Sequence, residues 1–417
     1  MKINATKFYT CLFVIVLFIQ LYATSFRFII FFEIFVLLLV AFLERQKISI
    51  RFAKIITPVI LVFLLGFLGM FIHKYHLFNI VKDIFHFIKP ILGLLIGYIF
   101  YKRINDFKLF VKTIIVTGFL SSLVHYIIIA FFINNIENVS NIREHGTDNF
   151  VELFALFFLI FYKKFQKENL FSSKLIHYII LFSLFISCVL YFSRTMIVIA
   201  IMALLTMYGY TIITKKTLKI MGFLLLFTLA FYAFLFSANI QRNSKGIESF
   251  LFKVKNAPAE VFKTRIDRED HTDLWDHWRG YEASKAFELL NDSPKGYIFG
   301  CGYGSLVNLK FYAPLSNDQK GMKYISELHN GYVYILYKTG ILGIVLYLYF
   351  LFSLYVKIYF DKRFTTTFIS TIGICFLFST LVTVGINNSN DTIIILLGAL
   401  LFFYEKENNI RTIKPIE

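Results

Sequence analysis

Apolar runs close to the length of one bilayer crossing recur along almost the whole chain, separated by short polar breaks. A crossing helix takes about 20 residues. The runs fall at Phe8 to Ala23, Phe26 to Leu43, Ile55 to Ile72, Ile80 to Tyr101, Phe107 to Ile133, Phe150 to Tyr162, Leu175 to Phe192, Thr195 to Ile213, Leu218 to Ala238, Gly331 to Phe360, Thr365 to Ile386 and Thr392 to Tyr404. The pattern predicts an all-α polytopic membrane protein with about 12 transmembrane helices. One long polar stretch interrupts it, from about Asn239 to Leu328, between the ninth and tenth runs. The expected organisation is a bundle of about nine spans at 1–238, a loop domain at 239–328 and a bundle of about three spans at 329–417.

Composition agrees with that class. Of 417 residues, 58% are hydrophobic and 52 are Phe, more apolar surface than a soluble core could bury. The formal charge of +17 invites a nucleic-acid partner, but the basic residues lie in alternate short loops. Arg45, Lys47, Arg51 and Lys54 form one cluster, and others follow at Lys102 to Lys108, Lys163 to Lys174, Lys215 to Lys219 and Lys357 to Arg363. This is the positive-inside signature, so the charge reports topology and no nucleic acid is expected. Both termini are then cytoplasmic, the N-terminal run is a retained anchor, and the long loop is extracytoplasmic. That loop holds both Trp residues and a single cysteine, Cys301, so no disulfide can form within it. Cys11, Cys188 and Cys375 lie in apolar runs and read as small packing residues.

Leu175 to Ile213 is about twice one crossing and is flanked by basic loops on both sides, so the chain must turn within it. The only polar break is Ser193-Arg194, which puts Arg194 at the loop-side rim as either a snorkelling side chain or an anion contact. A second outward segment, Asn141 to Asn149, precedes a short run carrying Glu152. A charge at depth costs about 2.5 to 3.5 kcal/mol unless it is partnered, which points to Arg143 or Arg194 as its partner, or to a shallower, wetted Glu152.

Within the long loop, Leu274 to Asn291 reads as one amphipathic helix on which Arg279 has Glu282 three residues on. That spacing suits either a surface ion pair or a guanidinium held for a ligand. Gly300, Gly302 and Gly304 follow, implying a tight turn or a close backbone approach to a ligand. Asp267, Asp270, Asp273 and Asp276 fan over half a helical cylinder, which favours a solvated acidic face over a metal site. No Asp-x-Asp clamp occurs.

His329-Asn330 lies where the loop meets the tenth run, and Gly340 and Gly343 follow. With an unperturbed pKa near 6.5, His329 can take a proton at neutral pH. It could equally be a hydrogen-bonded rim histidine with no chemistry. At 100° per residue, Leu336, Gly340 and Gly343 share its helical face while Lys338 points away, so the motif is expected to form one stripe turned toward the bundle.

In order and placement, Arg143-x-x-Gly146-x-x-Asn149, Ser193-Arg194, Trp278-Arg279-x-x-Glu282, Gly300-x-Gly302 and His329-Asn330 with Gly340 and Gly343 resemble the O-antigen polymerase and ligase superfamily. The likeness covers about Arg143 to Gly343, and the earlier runs match only in kind. It implies a C-type membrane glycosyltransferase, without metal or other cofactor, that takes an oligosaccharide from a polyprenyl diphosphate donor to a lipid-linked glycan acceptor. It also implies catalytic roles for His329 and Arg279, diphosphate binding by Arg143, Arg194 and Arg279, and support from Asn149, Glu152, Glu282 and Asn330. The setting it implies is the cytoplasmic membrane of a bacterium, with a periplasmic or extracellular loop, and it admits a chain-length regulator as a further partner.

The residue chemistry suits that reaction. A diphosphate is already a good leaving group, so the protein's work is to align a hydroxyl and stabilise developing charge, and the planar arginine fork contacts phosphate bidentately. The expected activity is polymerisation of repeat units, with ligation of finished glycan to lipid A-core as the alternative. A lipid-linked sugar flippase or transporter is the rival from another class. Transporters carry paired repeats and midplane sites, and this chain shows no matching second half.

Overall fold

Each of the twelve apolar runs contains a helix in the computed structural model, which describes residues 5–43, 47–71, 74–132, 148–241, 246–267, 270–292, 295–315, 321–389 and 391–413. The first nine are α1 (Ala5–Tyr22), α2 (Phe26–Leu43), α3 (Ile50–Met70), α4 (Leu77–Ile104), α5 (Phe107–Phe132), α6 (Phe150–Gln166), α7 (Lys174–Leu190), α8 (Arg194–Met207) and α9 (Lys215–Ser237). The loop contributes α10 (Ile247–Phe262), α11 (His271–Asp276), α12 (Trp278–Asp292), α13 (Lys295–Phe299) and strands β1 (Val307–Ala313) and β2 (Met322–Ile325). Then come α14 (Gly331–Tyr355), α15 (Lys357–Phe360), α16 (Phe364–Val382) and α17 (Ile393–Ile413). Among the described residues, eight helices are long and apolar enough to cross a membrane: α1 to α5, α9, α14 and α16. The chain is a multi-pass membrane protein.

α4 and α16 form the middle of the bundle, each 72% buried over its apolar window, whereas α9 is 6% buried and lies at the periphery. α17 packs along α4, and α14 is wedged between α3 and α16.

Two expectations about the loop need correction. The helix expected over Leu274 to Asn291 is broken at His277 into α11 and α12, which lets Trp278 turn inward, edge-on to Phe311. The fold is also not purely α. β1 pairs antiparallel with β2, Val307 opposite Ile325, and buries Val307, Leu309 and Ala313 on one face.

The glycine segment after α13 is where the loop is fastened to the bundle. Gly302 has φ +81°, and a Cβ there would lie 2.5 Å from the backbone of Gly69 in α3. The fully buried Tyr303 follows, donating from its N–H to the Gly66 carbonyl at 3.0 Å and from Oη to the Phe63 carbonyl at 2.7 Å. α14 is kinked to receive it. Gly340 has φ +71° and ψ −172°, and its would-be Cβ would fall 2.1 Å from the Ile298 carbonyl oxygen. The carbonyls of Tyr337 and Lys338, just ahead of the kink, accept instead from the N–H groups of Cys301 and Gly302 at 2.7 and 3.1 Å. These glycines therefore approach protein backbone and no ligand contact is needed to explain them.

The kink also breaks the single helical stripe expected from His329 to Gly343. His329 precedes the helix, Gly340 interrupts it, and Gly343 packs against the Thr339 side chain one turn back. Lys338 runs into the core, where Nζ meets Asp83 Oδ2 of α4 at 2.6 Å and donates to the Ser305 carbonyl at 2.6 Å. The Gly304 N–H donates to the same Asp83 oxygen at 2.7 Å. One buried ion pair thus ties α4, α14 and the loop together.

Candidate active site

Three helix starts organise the site, each capped by a polar residue that the sequence places beside a candidate functional group. Asn149 caps α6, Ser193 caps α8 and Asn330 caps α14. Asn330 Oδ1 accepts from the N–H groups of Tyr332 and Val333 at 3.1 and 3.3 Å, satisfying donors that the first turn leaves without partners. His329, one residue earlier, is held at the mouth of that helix.

The α7–α8 turn is tight, with Phe192 at φ +44°, and it delivers Arg194 to the rim. Its guanidinium Nη2 lies 3.0 Å from Glu260 Oε2 on α10, and Nη1 donates to the Lys253 carbonyl. Arg279, at the start of α12, places Nη1 2.9 Å from the other oxygen, Oε1, of the same Glu260. One carboxylate therefore bridges two arginines from distant parts of the chain, and all three side chains keep partial access to solvent.

Arg279 is thus paired with Glu260, and the expected bond from Glu282 to its guanidinium does not form. Glu282 faces His329. Its Oε2 accepts from the His329 backbone N–H at 3.1 Å and lies 2.9 Å from His329 Nδ1. The carboxylate is 2% exposed and the imidazole 54%, so a buried anchor holds an accessible ring. With Nδ1 protonated and directed at a carboxylate, Nε2 is the nitrogen left to accept a proton. Burial works against the imidazolium, but the hydrogen bond and charge of Glu282, assisted by Glu327, outweigh it and raise the His329 pKa above its ordinary 6.5.

Glu152 belongs to a different cluster. It is fully buried, so it does not reach water, and Arg194 is not its partner. Its oxygens accept from Ser121, Asn149, Ser187 and Tyr191. Tyr191 lies at the α7–α8 turn three residues before Arg194, so the cluster fixes that turn from within the bundle. Arg143, the other expected partner and diphosphate ligand, lies outside the described residues.

Sequence reasoning named Arg194, Arg279, Glu282, His329 and Asn330, and the structure brings them to one rim. It missed Glu260, an acid on an amphipathic helix with nothing around it to single it out. It also missed Glu327, which lies 2.8 Å from Lys82 Nζ and 3.0 Å from His86 Nε2 of α4. Burial alone would raise the Glu327 carboxyl, but His86 and Lys82 outweigh it and bring it to about 2.

These features define a class: a multi-pass membrane protein with arginines and a carboxylate-held histidine at one rim beside a long structured loop. A family model described as O-antigen ligase matches residues 179–348, and this match supports the likeness to the O-antigen polymerase and ligase superfamily. The matched stretch contains Arg194, Glu260, Arg279, Glu282 and His329, while Asn149 and Glu152 precede it. The activity that this family indicates is of the O-antigen ligase or polymerase type. No curated protein matches the chain.

Proposed function

We propose that the protein is an inverting glycan polymerase of the outer face of a bacterial cytoplasmic membrane, joining polyprenyl-diphosphate-linked repeat units of a surface polysaccharide. The observation that carries this reading is the Glu282-held imidazole of His329 beside the Arg194 and Arg279 pair.

In this reading the acceptor sugar hydroxyl gives its proton to His329 Nε2 as its oxygen bonds to the anomeric carbon of the donor. The bond from that carbon to the diphosphate oxygen breaks, and the electron pair leaves with the polyprenyl diphosphate. Arg194 and Arg279, with Arg143, neutralise the charge that develops there, where preorganised donors do the most for a rate. Glu282 holds the ring in one tautomer and stabilises the imidazolium once formed. No metal is required in this scheme, because the leaving group is already activated and guanidinium groups take its charge.

The test is the surface polysaccharide of a deletion strain complemented with His329→Ala or Arg279→Lys, with membrane insertion checked. Loss of the long-chain ladder with retention of a single capped repeat is the expected result, and wild-type ladders from both variants sink the mechanism. The description of the matching family favours a second reading, a ligase that delivers finished glycan to a lipid core. Bare core with accumulated lipid-linked polymer in the deletion strain selects that reading.

A further inference from the structure

A cleft of about 690 Å³ opens between α2 and α4, at the rim where Glu327 descends toward His329. Its size is that of a small-ligand pocket. Its walls divide by chemistry. Phe31 and Phe78 are 59% and 52% exposed on helices apolar enough to cross a membrane, so the cleft is open sideways to lipid. At its polar end are Arg27, whose guanidinium lies over the Phe78 ring at 5.0 Å, and the Lys82, His86 and Glu327 cluster. Lys82 and Glu327 balance in charge, which leaves Arg27 as positive excess.

The cleft neighbours the candidate active site through the chain, since Glu327 lines it two residues before His329. Glu327 and His329 flank the buried Leu328, and the charges of both Arg279 and Glu327 act on the imidazole. Polar groups thus run from Arg194 and Arg279, through Glu282 and His329, to Glu327, Lys82 and Arg27. A polymerase must hold two lipid diphosphates at once, one losing its glycan and one presenting a hydroxyl. In the proposed reading the Arg194 and Arg279 pair, bridged by the one Glu260 carboxylate, takes the donor.

We infer that the α2–α4 cleft seats the second lipid diphosphate, the acceptor, with its polyprenyl chain leaving past Phe31 into the bilayer and its diphosphate at Arg27 and Lys82. Its assignment as the acceptor seat rests on the polymerase reading, whereas binding of the lipid itself does not. An apolar flank beside a cationic end is what a lipid diphosphate needs, since the tail gains nothing from water and each phosphate gains a charge-assisted contact.

The test uses the full chain in nanodiscs of neutral lipid, with undecaprenyl diphosphate as probe and native mass spectrometry as readout. Wild type is expected to bind two molecules, and Arg27→Glu combined with Val81→Trp, which fills the cleft from its edge, to bind one. Chain extension by this variant should show the KM for acceptor raised about tenfold, equivalent to ~1.4 kcal/mol of binding, with the KM for donor unchanged. An unaltered protein provides a second measurement: a polyprenyl diphosphate with a photoreactive tail should label the α2 peptide around Phe31. Two molecules still bound in the variant, no α2 labelling, or equal displacement by phosphatidylglycerol, the mark of ordinary annular lipid, each overturns the inference. If two molecules bind and the cleft variant loses one while wild type extends no glycan, the cleft stands and the polymerase reading fails. If glycan is extended with a single bound lipid diphosphate, the polymerase reading stands and the cleft fails.

Discussion

Glu282 grips His329 at two points, accepting from its backbone N–H at 3.1 Å and lying 2.9 Å from Nδ1 with the same oxygen, Oε2. A ring held in this way has one nitrogen committed and one available, and its pKa lies above the ordinary value. The neutral form is the base, so activity should rise with pH through that raised pKa. The acid limb of kcat/KM is expected above 6.5 in wild type, and Glu282→Gln should move it down, because burial then acts without the opposing carboxylate. An acid limb that stays in place in Glu282→Gln removes His329 from the role of base.

His329→Ala is expected to slow glycan transfer by about a hundred- to ten-thousandfold, the usual worth of a positioned base. Purified variant and wild type in nanodiscs, compared at equal amounts of folded protein, provide the check. A loss confined to KM would mean that the ring binds sugar and moves no proton.

The shared carboxylate of Glu260 competes with any anion for Arg194 and Arg279. Replacing it with Gln keeps the shape and removes one negative charge, so binding of undecaprenyl diphosphate should tighten and become more sensitive to salt. Arg194→Lys should act in the opposite direction, since an ammonium cannot reproduce the bidentate fork. Salt-dependent affinities for the three proteins test both signs.

Asn330→Ala removes the α14 cap and should cost about 1 kcal/mol of stability, while Asn330→Asp should restore most of it. Because His329 is adjacent, transfer activity should fall in the Ala variant and recover with Asp. Thermal unfolding in detergent and activity should therefore move together across the pair.

Asp83 and Lys338 are both fully buried, so losing one partner strands the other's charge. Asp83→Asn or Lys338→Met alone should destabilise by about 3 to 5 kcal/mol, and the double replacement should recover much of that. Equal losses in single and double variants would show that the pair contributes no coupling.

The helices were legible because lipid demands long apolar runs with internally paired backbone, and that demand is written locally. α2 was expected and found at Phe26 to Leu43, and the Ser193-Arg194 break was found as the α7–α8 turn. Asn149, Ser193 and Asn330 were not named as caps from the sequence, although Asn or Ser ahead of an apolar run is a local signal for one. The partners of the charged groups were not legible. Arg279 had a plausible acid three residues away in Glu282, yet it took Glu260, and Glu282 took a histidine 47 positions along the chain. Nothing local distinguishes those pairings, because an ion pair depends on distance in space and the competing choices differ by less than the energy of placing the loop.

By itself the sequence determined which segments are apolar and helical and which residue types collect near one rim, since those follow from hydropathy and the placement of charge. The tertiary structure alone decided that Gly340 kinks α14 to admit the Gly300 to Gly304 segment, that Lys338 meets Asp83 across 255 positions, and that Glu282 holds His329. Each of these is a close approach between segments far apart in the chain, and its stability comes from burial and backbone pairing that exist only once the bundle has assembled.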